Sequence, residues 1–100
     1  MDYNKISNKY INAEIKDYKF GTALEVKKVL GYDFRTMRGF KILSPEHKLL
    51  AEKLICSFLN GHGLEAREGI RPTKIKREPG KFTVWYGEGY SYLYDSGSVG

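Results

Sequence analysis

One hundred residues with a formal net charge of +5 make one domain, with room for one hydrophobic core and not two. An apolar content of 41% against 29% charged excludes wholesale disorder, and no apolar run approaches the roughly 20 residues that span a bilayer. The single cysteine, Cys56, excludes an intrachain disulfide. Together with a start that lacks a secretory signal's basic and apolar stretches, this points to a cytoplasmic protein.

In chain order, residues 10–20 come first. Ile11, Ala13 and Ile15 alternate as a strand does, although Ile6, Tyr10, Ala13 and Ile15 would also line a helix; strand is the reading adopted. Thr22-Ala-Leu-Glu25 is a capping-box pattern, and Ala23, Val26, Val29 and Leu30 then share one helical face before Gly31. A short helix over about 22–30 follows. Residues 31–43 interleave Arg35 and Arg38 with Tyr32, Phe34, Met37 and Phe40, read as a loop entering a short strand near 39–43. Arginines among aromatics suit phosphate contact, and equally a surface loop with its rings tucked inward.

Ser44 as N-cap and Pro45 at the first helical position open a helix over about 45–60. Leu50, Ala51, Leu54, Ile55, Phe58 and Leu59 form its apolar face, with Leu49 and Cys56 opposite beside Glu52 and Lys53. From Leu64 the pattern turns to β. Leu64–Glu68, Thr73–Arg77, Phe82–Tyr86 and Tyr90–Tyr94 alternate between turn residues, giving an antiparallel meander over about 64–94. The expected fold is α+β: two helices packed on that meander, one domain over 1–94, and a flexible tail at 95–100 with almost nothing to bury.

Register decides what the last strands display. A two-residue Pro79-Gly80 turn sets Ile75 opposite Val84 and Lys74 opposite Trp85. Thr73, Ile75, Phe82, Val84 and Tyr86 then face inward, while Lys74, Lys76, Thr83 and Trp85 face outward. With Gly87-Glu88-Gly89 as a three-residue loop, Tyr90 opposes Tyr86 and the tyrosines join the core. With Glu88-Gly89 as a two-residue turn, Trp85 opposes Tyr92, and Tyr90, Tyr92 and Tyr94 share the outer face. The second is adopted, because it leaves the phenol hydroxyls wet.

No catalytic or metal site is legible. His47 and Cys56 fall on opposite sides of one helix, and His47 reads as a structural, partly buried histidine. His62 sits in a Gly-rich loop, and Asp17 and Asp33 have no visible carboxylate partner. Gly87-Glu88-Gly89 joins two strands, so no helix N-terminus faces an anion there. No cofactor is implied.

The sequence therefore points to binding. Trp85, Tyr90, Tyr92 and Tyr94 with Lys74, Lys76, Arg71, Arg35 and Arg38 are the candidate contact residues, unless residues 10–20 cover the platform. A small, compact, Lys-, Ile-, Asn- and Tyr-rich chain with no catalytic site looks like the accessory proteins of bacteriophages and mobile elements. The analogy of size and composition, which includes anti-defence and anti-CRISPR inhibitors, implies a protein partner in the host, bound by a monomer or homodimer. The alternative is a nucleic-acid-binding protein that uses the basic, aromatic sheet face.

Overall fold

The computed structural model describes residues 19–61, 70–87 and 89–100. It is an α+β fold: helices α1 (Ala23–Leu30) and α2 (Pro45–Asn60) precede an antiparallel sheet of β1 (Pro72–Glu78), β2 (Lys81–Tyr86) and β3 (Gly89–Tyr94) in the order β1-β2-β3. The strand expected at 64–68, most of the 10–20 segment, His62 and Asp17 lie outside the described residues.

The capping box forms. Thr22 Oγ1 accepts the Glu25 N–H at 3.2 Å, and Glu25 Oε1 accepts the N–H groups of Thr22 and Gly21. Gly31 ends α1 in the left-handed region at φ 84°. Ser44 caps α2, its hydroxyl accepting the His47 N–H at 3.1 Å. On the inner face of the sheet, Ile75, Phe82, Val84 and Leu93 are buried beneath α2. His47 meets Phe82 edge-on at 6.1 Å, and Phe58 packs on Tyr86 at 5.7 Å. Each large side chain buried there contributes about 1.5–3 kcal/mol.

Three expectations need correction. Cys56 is not on an outward side: it is 2% exposed, because α2 buries two of its sides. Glu52 and Asn60, one turn to either side of Cys56, hold the start of α1. Glu52 Oε2 accepts the Ala23 N–H at 2.7 Å, while the Asn60 amide accepts the Phe20 N–H at 2.7 Å and donates to its carbonyl at 2.9 Å.

Residues 39–43 are not a strand. After a 3-10 turn at Phe34–Thr36, Arg38 alone pairs with β1, in parallel beside Lys74, and the chain then turns toward Ser44. Gly39 permits this: its φ is 92°, and a Cβ there would stand 2.2 Å from the Ile75 carbonyl oxygen.

Thr73 does not face inward. A bulge between Pro72 and Lys74 turns it out, and its hydroxyl donates to the Trp85 carbonyl at 3.2 Å.

Residues 95–100 have little side chain to bury, but their backbone finds partners. Tyr92 and Gly100 exchange hydrogen bonds at 3.0 and 2.9 Å, and the Tyr94 N–H donates to the Ser98 carbonyl at 2.9 Å. Asp95 also forms a two-pronged pair with Arg77, at 2.6 and 2.9 Å.

Candidate functional site

The Pro79-Gly80 turn gives the expected pairing, Ile75 with Val84 and Lys74 with Trp85. The second hairpin pairs Tyr86 with Gly89, in neither of the frames the sequence suggested. Trp85 pairs with Tyr90, Thr83 with Tyr92, Phe82 with Leu93 and Lys81 with Tyr94. This register differs by two residues from the adopted one, and a shift of two preserves the face. Tyr90, Tyr92 and Tyr94 therefore stand outward with Trp85, while Ser91 and Leu93 face inward and are buried.

Read across the strands, the outer face is a small grid. One row runs Arg38, Lys74, Trp85, Tyr90; the next Lys76, Thr83, Tyr92; the third Glu78, Lys81, Tyr94. Most of the charge and most of the rings are segregated. Lys74 and Lys76 form a basic column on β1, widened by Arg38 beside Lys74, and the three tyrosines form an aromatic column on β3, with Trp85 and Lys81 between them on β2. Neighbouring rings touch: Tyr90 and Tyr92 lie 5.5 Å apart, Tyr92 and Tyr94 6.4 Å. Tyr90 is 55% exposed and Trp85 half-buried, and no described helix or strand crosses this face.

The cations lean on the rings. Lys74 Nζ stands 4.7 Å from the centre of Trp85 and Lys81 Nζ 4.0 Å from that of Tyr92. At exposed sites such contacts are worth about 0.5–1 kcal/mol, so the ring faces open at small cost. The Tyr92 phenol titrates above its ordinary range, chiefly through its hydrogen bond with Tyr90.

Thr83 is the floor of the face, only 4% exposed, its hydroxyl donating to the Glu78 carboxylate. Around it lies a shallow depression of about 210 Å³ lined by Lys76, Glu78, Trp85, Tyr90 and Tyr92. A second open cleft, of about 360 Å³, adjoins the basic column between Asp33, Arg38, Arg71, Thr36 and Thr73. Arg71 stacks its guanidinium 5.2 Å over the Tyr32 ring.

The candidates from the sequence thus fall into two groups. Trp85, Tyr90, Tyr92, Tyr94, Lys74, Lys76 and Arg38 are brought together, with Arg71 at the margin. Arg35 is not: Asp33 takes its guanidinium in a two-pronged pair at 2.9 and 2.8 Å, and that pair holds the Asp33 carboxyl below the usual range. Lys81 joins the first group: its spacing from Thr83 and Trp85 gives it the outward parity, and it pairs with Glu78 and Tyr94.

Among the described residues no three or more His, Cys, Asp or Glu side chains cluster as metal ligands, and no helix is long and apolar enough to cross a membrane. The Cys56 thiol is pushed up to about 12 by burial, helped by the Glu52 and Glu25 charges, which suits packing rather than nucleophilic attack. No family model, curated protein or solved structure matches this chain.

Proposed function

We propose that this chain is a small non-enzymatic binding protein whose contact surface is the outer face of the sheet, and that its partner is an anionic macromolecule. One observation supports this most. Trp85 and three tyrosines share a single face, crossed by no described helix or strand, with Arg38, Lys74, Lys76 and Lys81. Rings left half-wet carry unspent apolar area, worth about 1–3 kcal/mol for each base stacked on one and about 2 kcal/mol or more for a Tyr or Trp at the centre of a protein interface. The cations select the sign of the partner. Inhibition of a host factor, in the manner of phage accessory proteins, would be one use of such a surface, with an acidic protein face as the partner.

The test is quenching of Trp85, the chain's one tryptophan. Acrylamide should quench its emission in the free protein. At low salt, poly-glutamate or a single-stranded oligonucleotide should protect it. A blue-shifted emission that acrylamide leaves untouched would mean that something covers the face, and the reading would fall.

A further inference from the structure

The segregation of charge from rings on this face goes further than its sign. We infer that the face takes a single strand of nucleic acid lying along the sheet strands, with its phosphates on Lys74, Lys76 and the neighbouring Arg38 and its bases on Trp85, Tyr90 and Tyr92. The inference rests on the outer face being the contact surface, and it names the ligand.

Three features carry it. First, an acidic protein patch has no reason to meet cations on one side and rings on the other, whereas a single strand is built that way, with a charged backbone along one edge and stackable faces along the other. Second, outward positions along a strand repeat about every 6.7 Å, roughly twice the 3.4 Å that successive phosphates of one strand advance along the axis of B-DNA. A strand in register with this repeat is drawn out and its bases are parted, which leaves each free to stack on a protein ring. A duplex holds its bases stacked inside and offers this face only phosphates. Third, Glu78 closes one end of the basic column, at the turn, while the other end opens on a cleft where Arg38 and Arg71 stand with Asp33, whose charge Arg35 already takes. The lane therefore has a repelling end and an attracting end.

The experiment is fluorescence anisotropy with labelled oligo(dT), a duplex of equal length and poly-glutamate as a competitor, over a salt series, using the full chain. The single strand should bind at least tenfold more tightly than the duplex. With about three phosphates neutralised, log affinity should fall with log salt at a slope of about −2. Lys74→Glu with Lys76→Glu should weaken binding more than tenfold and flatten that slope. Lys27→Glu with Lys28→Glu, an equal change of charge on the exposed side of α1, should weaken it less than threefold. Trp85→Ala should cost about five- to a hundredfold. Equal affinity for duplex, or equal weakening by the α1 pair, would overturn the inference. If poly-glutamate binds through Lys74 and Lys76 and the oligonucleotide does not, the ligand is wrong and the surface stands. If neither binds at low salt, both fall.

Discussion

Arg38 lies alongside Lys74, its N–H donating to the Thr73 carbonyl at 3.1 Å and its own carbonyl accepting the Ile75 N–H at 2.8 Å. The whole of α2 separates the two residues in the chain. These two backbone hydrogen bonds widen the basic column by one side chain beside Lys74, and they depend on the turn that Gly39 makes immediately after.

Gly39→Ala should therefore be costly. The left-handed backbone alone costs an L-residue about 1–2 kcal/mol, and the contact with the Ile75 carbonyl adds to it. Gly80→Ala, also left-handed at φ 74° but with nothing within 4 Å, supplies the backbone cost without the clash. Urea unfolding should rank Gly39→Ala the more destabilising by at least about 1 kcal/mol; equal losses would mean that the Arg38 pairing yields without cost.

Cys56 should behave as a core residue. With its pKa near 12, about one thiol in ten thousand is ionised at pH 8, and the group is buried besides. Reaction with an aromatic disulfide reagent in native buffer should be at least a hundredfold slower than in 6 M guanidinium. Rapid labelling of the native protein would show that α1 does not stay seated on α2.

Asn60→Ala should detach the start of α1. It removes both part-buried hydrogen bonds to the Phe20 backbone, each worth about 0.5–1.5 kcal/mol net. A loss of about 2 kcal/mol in urea is expected, with Cys56 labelling faster in the variant. Thr22→Ala, which removes only the cap hydroxyl, should cost about 1 kcal/mol.

Acid should loosen the fold through two carboxylates. Arg35 lowers the pKa of Asp33 and Arg77 that of Asp95, in each case chiefly by the side-chain hydrogen bond. A depressed carboxylate stabilises the folded chain above its unfolded pKa of about 3.9, and that contribution is lost as pH falls through the folded value. The urea midpoint should hold level from pH 7 to about 5 and fall below about 4. In Asp95→Asn the fall should be shallower, and a fall of unchanged steepness would show that the Arg77 pair is immaterial.

Glu78→Gln tests the direction of the nucleic-acid lane. Removing the one carboxylate of the basic and aromatic grid should strengthen oligo(dT) binding about two- to fivefold at low salt, an effect that 0.5 M salt abolishes. Weaker binding would put the phosphates elsewhere.

Local patterns made much of this legible. Ser44-Pro45 and the Leu54, Ile55, Phe58, Leu59 face define α2 without help from the rest of the chain, and Pro79-Gly80 sets the first hairpin because few turns accept that pair. Gly87-Glu88-Gly89 accepts several turns, so the sequence left the second register open. The face of Trp85 and the tyrosines survived because the misreading was an even number of residues. What stayed hidden is long-range or carried by backbone alone. A helical wheel of α2 shows one apolar stripe, and nothing in it says that Cys56, between the Glu52 and Asn60 that hold the start of α1, is buried. The pairing of Arg38 with β1, and of Ser98 and Gly100 with β3, uses N–H and C=O groups that every sequence possesses.

Those last pairings change how the sheet meets other molecules. A bare rim is a template onto which a stranger's strand can dock, and unchecked addition of that kind ends in cross-β growth. Here Arg38 occupies the middle of one rim and the stretch from Ser98 to Gly100 runs along the other. Deleting residues 96–100 would bare the β3 rim while leaving the aromatic grid in place, so the shortened chain should become prone to self-association at concentrations where the full chain stays dispersed.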